Sequence, residues 1–264
     1  MNCHWNDYAR HWQKLAPPLR PHPEDVELLR KAISPELPVL LLGVTPEISC
    51  LPLRGFAIDK SQGMIRSVWN RPPGWMALQG DWLQLPFASG SIPQVLGDGA
   101  LNVLKFPEDY ALLLCETARV SGAAGKIILR QFVSPSSQES LETIRGAALA
   151  NRIGNFHILK WHVAMAIAAE APNWNVQVQD IRQVFNQLFD DREQLLNATG
   201  WGEEVFDTVD IYAGSSSILS FPSWDALLPL LQRVANRIDM QTGIYELNER
   251  CHTITLSGLH PHAI

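Results

Sequence analysis

Pro38-Val-Leu-Leu-Leu-Gly-Val-Thr-Pro-Glu47 is an apolar run, Pro38 to Leu42, closed by Gly43 and a turn. A strand that is apolar on both faces needs cover on both, as in a parallel sheet with helices on either side. In such sheets nucleotide-like ligands sit at the carboxyl ends of the strands, where the direction of winding changes. About sixteen residues after Gly43, a second strand, Arg54-Gly-Phe-Ala-Ile-Asp59, ends on an acid. An acid at that offset is suited to accept hydrogen bonds from both hydroxyls of a ribose.

Downstream the alternation continues. Ser61 caps a short helix whose Met64, Ile65, Val68 and Trp69 share a face, and Arg71-Pro-Pro-Gly74 ends it. Trp75 to Gln79 reads as a third strand, followed by Gly80-Asp81-Trp82-Leu-Gln-Leu-Pro86-Phe87, a loop that presents an acid and an aromatic together. A fourth strand is expected over Ile92 to Leu96, running into Gly97-Asp98-Gly99, where two glycines let backbone approach a ligand. Pro107 to Val120 carries the marks of a helix: Pro at its first position, Glu108 and Asp109 next, Gly122 just beyond its end. Lys126 to Val133 makes a fifth strand. Five strands alternating with helices indicate a doubly wound parallel sheet.

From Ser136 to about Tyr212 the pattern is helical throughout, with a capping box expected at Ser136 and Glu139 and apolar stripes at Ile181, Val184, Phe185, Leu188 and Phe189 and at Val205, Val209 and Tyr212. This segment reads as a cap over the carboxyl edge of the sheet. A helix starting at Ser223 and two strands, near Ile238 to Tyr245 and Thr253 to Leu256, complete the chain. Their connection is too short for a crossover helix, so they are expected to pair antiparallel.

Upstream, Trp5, Tyr8 and Trp12 lie along one side of a helix, and Pro17, Pro18, Pro21 and Pro23 force an extended link that holds Arg20. Folded over the sheet, that link presents Arg20 to a ligand carboxylate as a bidentate partner. Otherwise Arg20 points into water. A helix over Glu24 to Ile33 leads into the first strand.

The net charge of −6 gives no basic footprint for nucleic acid, so a small-molecule substrate is expected. Cys3, Cys50, Cys115 and Cys251 are widely separated, which reads as reduced thiols and a cytoplasmic location. No metal site is expected, because no His or carboxylate companions stand at ligand spacing. Phe156 to Ala169 is too short to span a bilayer.

In this order of features the chain resembles the class I S-adenosylmethionine (SAM)-dependent methyltransferases: a glycine loop after the first strand, an acid ending the second, Gly80-Asp81-Trp82 with Leu85-Pro86-Phe87 after the third, Gly97-Asp98-Gly99 after the fourth, and a closing antiparallel pair. The resemblance covers roughly Val39 to Val133. It implies an α/β fold, a doubly wound, mostly parallel seven-stranded sheet with an antiparallel last strand and a helical cap insertion. It divides the chain into N-terminal helices acting as a lid (1–37), a Rossmann-like SAM-binding core (38–135), the cap (136–214) and a C-terminal return to the sheet (215–264).

The cofactor implied is SAM. Gly43 would pass under its methionine part, Asp59 hold the ribose, Asp81 meet the adenine amino group with Trp82 beside the ring, and Asp98 with Gly99 lie near the methionine amine. Met64 joins this set. One departure concerns the first loop. The family's pattern has an acid two residues before its first glycine and two further glycines, whereas here those positions are Leu41, Thr45 and Glu47. Thr45 and Glu47 are therefore candidates to replace the lost contacts.

Candidate catalytic groups are His157 for proton transfer, and Phe132 and Tyr212, whose ring faces attract a sulfonium by about 0.5 to 2 kcal/mol. Each has a plainer reading as core, and Trp82, Asp98 and Asp59 as packing, turn cap and strand-end acid. Methyl transfer to a small acceptor leads. The motif of amine methylation, Asn or Asp followed by Pro-Pro and an aromatic, is replaced by Asp98-Gly-Ala-Leu101. The second reading is a SAM-consuming enzyme without methyl transfer, in which the α-amine attacks the γ-carbon to give azetidine-2-carboxylate and methylthioadenosine, or a related lyase. A third is a non-catalytic protein of the same fold. A nicotinamide-dependent enzyme fits least, because the loop lacks the second glycine that a pyrophosphate needs.

Overall fold

The computed structural model describes residues 5–135 and 137–261, with side chains from Tyr8 onward. Cys3, the side chain of Trp5, and the Ser136 half of the expected capping box lie outside the described residues.

The chain opens with α1 (Trp5–Arg10) and a single 3-10 turn, then passes through the Pro-rich link to α2 (Pro23–Ala32). His22 caps α2: its ring accepts from the Glu24 amide while Asp25 accepts from the His22 amide. The central strand β1 (Val39–Leu42) is buried at every residue. Val39 and Leu41 enter the core on one face of the sheet, Leu40 and Leu42 the core on the other. That split explains the continuous apolar run, and each fully buried leucine contributes about 1.5 to 3 kcal/mol.

The next elements are α3 (Pro46–Ser49), β2 (Gly55–Asp59), α4 (Gln62–Ser67) and β3 (Trp75–Gln79). Ser61 caps α4 by accepting from the Met64 amide at 3.2 Å, as expected. The fourth strand, β4 (Gln94–Asp98), starts two residues later than expected. Pro93 has no N–H to give to the ladder, and the Ile92 amide goes instead to the Val120 carbonyl. The shift carries Gly97 and Asp98 into the strand itself. Next come α5 (Glu108–Ser121) and β5 (Lys126–Phe132).

The cap comprises α6 (Leu141–Leu149), α7 (Phe156–Glu170), β6 (Asn175–Gln177), α8 (Val178–Leu188), α9 (Arg192–Thr199) and α10 (Asp207–Asp210). Ser140 caps α6 by accepting from the Thr143 amide, and Glu139 turns to His162 and Arg250 instead. The apolar α7 is buried almost all round, as an unsided helix must be. Phe156, Phe185, Trp201 and Phe206 pack edge to face beside it.

The cap is not purely helical. β6 pairs antiparallel with β7 (Ile218–Ser220), a correction to the expectation of helices alone. Trp174 adopts a positive φ of 52°, and the Asn175 side chain bonds both the amide and the carbonyl of Phe106. A three-residue strand fixed by such distant partners leaves no periodicity to read.

After α11 (Trp224–Val234), capped by Ser223, come β8 (Ala235–Gln241) and β9 (Cys251–Leu259). The main sheet has the order β3-β2-β1-β4-β5-β9-β8. The first five strands are parallel, and β9 runs antiparallel to both β5 and β8. Among the described residues no helix is long and apolar enough to cross a membrane. Cys50, Cys115 and Cys251 form no disulfide among the described residues.

Candidate functional site

The carboxyl ends of β1 to β5 open into a cavity of about 690 Å³, walled by the sheet edge on one side and by the N-terminal segment and the cap on the other. Gly43 leaves β1 with φ +97°, a conformation that suits glycine, and its amide donates to the Ile58 carbonyl at 2.8 Å. The Trp82 indole N–H donates to the same carbonyl at 2.7 Å, which holds the ring against Gly43.

Asp59, at the end of β2, lines the cavity and accepts the Ser61 amide at 2.7 Å on one oxygen. Burial pushes its pKa up to about 6, against the pull of that amide. Its second oxygen makes no hydrogen bond among the described residues. Asp81 also lines the cavity, but its carboxylate is engaged by the Leu83 amide at 3.0 Å and by Lys60 at 2.9 Å. Those two contacts hold its pKa below the usual carboxylate range. Met64, on α4, is buried at the same wall.

The other end of the cavity is formed by Thr45, Asp98, Gly99, Arg130 and Phe132. Asp98 and Arg130 are directly opposed in the β4–β5 ladder. The Arg130 Nε donates to Asp98 Oδ1 at 2.5 Å, and the Thr45 hydroxyl donates to Oδ2 at 3.2 Å. Arg130 Nη1 donates to the Pro18 carbonyl at 3.0 Å and lies 3.5 Å from Asp25 Oδ2, while the guanidinium sits 4.9 Å from the centre of the Phe132 ring. Burial opposes the charge on Arg130, but Asp98 and Asp25 outweigh it and keep it ionised. Asp25 is itself pushed up by burial and drawn back by Arg130 and the Tyr245 hydroxyl.

Above the sheet edge, Phe132 meets Trp161 edge to face at 5.8 Å, and Tyr8, Trp12 and Tyr212 complete an aromatic wall. The Tyr8 and Tyr212 hydroxyls share a hydrogen bond.

Three expected site residues stand elsewhere. Arg20 and Glu47 are not on the cavity wall; they pair with each other at 2.5 Å, with the Arg20 guanidinium 5.6 Å from the Trp12 ring centre. His157 is also off the wall, hydrogen bonded through Nε2 to the Lys14 carbonyl at 3.0 Å. Burial, followed by Lys160, pushes its pKa down to about 3, so it is a neutral packing residue that ties the cap to the N-terminal segment.

No protein-family model matches the chain, and no curated protein matches it either. Solved structures do. A SAM-dependent methyltransferase from Methanosarcina mazei aligns over 90% of this chain and 98% of its own, at 13% identity and a TM-score of 0.52. A SAM-dependent methyltransferase from Thermotoga maritima, described as a possible histamine N-methyltransferase, aligns over 97% and 98%, at 14% identity and 0.54. The fold is that of the class I SAM-dependent methyltransferases. The same architecture extends to a Rhodobacter sphaeroides protein described as a putative zinc-dependent alcohol dehydrogenase, at 11% identity and 0.56 over 97% of this chain and 98% of that one. Among the described residues of the present chain, no three His, Cys, Asp or Glu side chains stand together as a metal site.

On this methyltransferase fold, sequence reasoning missed Arg130 and Asp25. Arg130 occupies one position of the strand Lys-Ile-Ile-Leu-Arg-Gln-Phe, and a charge there, next to a strand that ends in Asp98, was the available signal.

Proposed function

We propose that this chain is a SAM-dependent methyltransferase acting on a small-molecule acceptor. The observation that carries the reading is that Asp59 and Asp98 face one cavity from opposite ends of the strand edge, with the Gly43 loop between them. Asp59 has an unengaged oxygen for ribose hydroxyls, and its raised pKa follows from burial that the single Ser61 amide does not offset. Asp81 and Trp82 lie beyond it, at the adenine end. Met64 and Thr45 flank the path between, and Gly99, whose φ of +60° leaves open space where a Cβ would stand, admits the methionine end.

When bound, SAM supplies a methyl group activated by a sulfonium. The chain's contribution is position and enclosure. Phe132 and Tyr212 line the space between sheet and cap, where a positive charge against an aromatic face gains about 0.5 to 2 kcal/mol. Holding donor and acceptor together in an enclosed site is worth about 7 to 11 kcal/mol. The acceptor enters on the aromatic side, and the cavity suits a small molecule better than a polymer. The N-terminal helices act as its lid through Tyr8 and Trp12. Neighbours described as methyltransferases do not favour the cyclisation reading.

Incubation with SAM alone and with SAM plus a small-molecule extract, followed by mass spectrometry, tests the proposal. S-adenosylhomocysteine formed only with the extract is the expected result. Methylthioadenosine from SAM alone, or no product in either arm, overturns it.

A further inference from the structure

Arg130 is 2% exposed and held from several sides, yet one of its groups is uncommitted. Nε is taken by Asp98, and Nη1 by Pro18 and Cys251, but Nη2 has no hydrogen-bond partner among the described residues and is not among the polar atoms sealed away from solvent. The residue lines the cavity at the end formed by Thr45, Asp98 and Gly99. A buried guanidinium with a free, fixed N–H beside a cavity is a carboxylate receptor, because five donors in a rigid fork reward a planar anion.

The charges around it sharpen the match. Arg130 stands between Asp98 and Asp25, so the cluster carries one excess negative charge. SAM, with a sulfonium and an amino-acid zwitterion, carries one excess positive charge. Set against the Asp98–Arg130 pair, the zwitterion places its ammonium toward Asp98 and its carboxylate toward Arg130, so that four charges alternate in sign. Phe132 below the guanidinium and the strand ladder on either side fix the receptor before ligand arrives.

We propose that Arg130 binds the α-carboxylate of the cofactor's methionine through Nη2, paired with Asp98 on the ammonium, and so replaces contacts that the sparse glycine loop does not make. The assignment rests on the SAM reading above. It gives the carboxylate role to a residue of the sheet, not to Arg20 of the Pro-rich link.

The test is calorimetric binding of S-adenosylhomocysteine and of methylthioadenosine, which lacks the amino-acid end. Wild-type protein is expected to prefer S-adenosylhomocysteine by about 10- to 100-fold, the range for charge-assisted hydrogen bonds. Arg130→Met should cut that preference by about tenfold, keeping what Asp98 contributes, and leave methylthioadenosine affinity within about threefold, a result that also reports a folded site. Because the substitution strands Asp98 and Asp25, Arg130→Lys and a ligand-side control are included: decarboxylated SAM should bind wild-type protein at least about tenfold more weakly than SAM. Equal binding of SAM and decarboxylated SAM, or an unchanged preference in the Met and Lys variants, overturns the assignment while leaving the cofactor reading intact. Absence of binding by every adenosine ligand overturns both.

Discussion

The Lys160 ammonium lies 4.9 Å from the centre of the Tyr212 ring, deep in the cap, and its hydrogen bond goes to the Thr208 carbonyl at 2.7 Å. Both side chains are wholly buried, and Tyr212 also lines the cavity, so a buried cation sits directly behind the aromatic wall.

That cation costs stability. Burial pushes the Lys160 pKa down from 10.5 to about 7, although the Tyr212 face returns part of the loss. The unfolded chain holds the proton up to pH 10.5 and the folded chain releases it near 7, so between those values the unfolded state binds more protons and stability rises with pH. Lys160→Met is therefore expected to be more stable than the wild type at pH 6, with the gap closing toward pH 10. Urea denaturation of both proteins across that range checks it. A gap that does not change with pH contradicts the shifted lysine.

Asp59 makes cofactor affinity depend on pH in the same sense, in a lower window. Two ribose hydroxyls donate best to the ionised carboxylate, and burial holds its pKa near 6, so tight binding expels a proton from any molecule still carrying one. Affinity for S-adenosylhomocysteine should fall roughly tenfold between pH 7.5 and pH 5. Asp59→Asn should bind more weakly at pH 7.5 and lose that slope. The same slope in the Asn variant would assign the titration to another group.

Arg20 offers a contrast with Arg130. Its guanidinium is spent on Glu47 and on the face of Trp12, and the second Glu47 oxygen is buried without a partner among the described residues. Arg20→Ala should lower stability by about 1 to 2 kcal/mol and leave S-adenosylhomocysteine affinity within about threefold. Thermal denaturation and calorimetry measure the two effects separately. A loss of affinity as large as that of Arg130→Met returns Arg20 to the ligand.

The sheet and one end of the cavity were legible in the sequence because both are written locally. A buried strand shows as an apolar run, and Gly43, Asp59, Asp81, Trp82 and Asp98 each mark the end of a strand or the turn after it. Parallel packing alone then brings those ends together. The other end, Asp98 and Gly99 apart, is written in partnerships between distant residues. Arg130 meets Asp98 across 32 positions and the Pro18 carbonyl across 112, and neither separation leaves a periodic trace. Asp25 lies in the first turn of a helix, where an acid suits the macrodipole, but burial against Arg130 and Tyr245 gives it a second role. His157 stands off the cavity wall for the same reason: its partner in space is Lys14, 143 positions away.

The strand order has a consequence for synthesis. β9 lies between β5 and β8, although β8 precedes it along the chain. A nascent chain that has emerged only as far as β8 leaves one side of β5 unpaired, with the amides and carbonyls of Lys126 to Phe132 open and Cys251 not yet against Arg130. Open edges of this kind recruit strands from other chains. Ribosome stalling or a frameshift just before Cys251 thus yields a self-associating polypeptide, and chaperone demand should peak in the interval before the last strand is threaded into place.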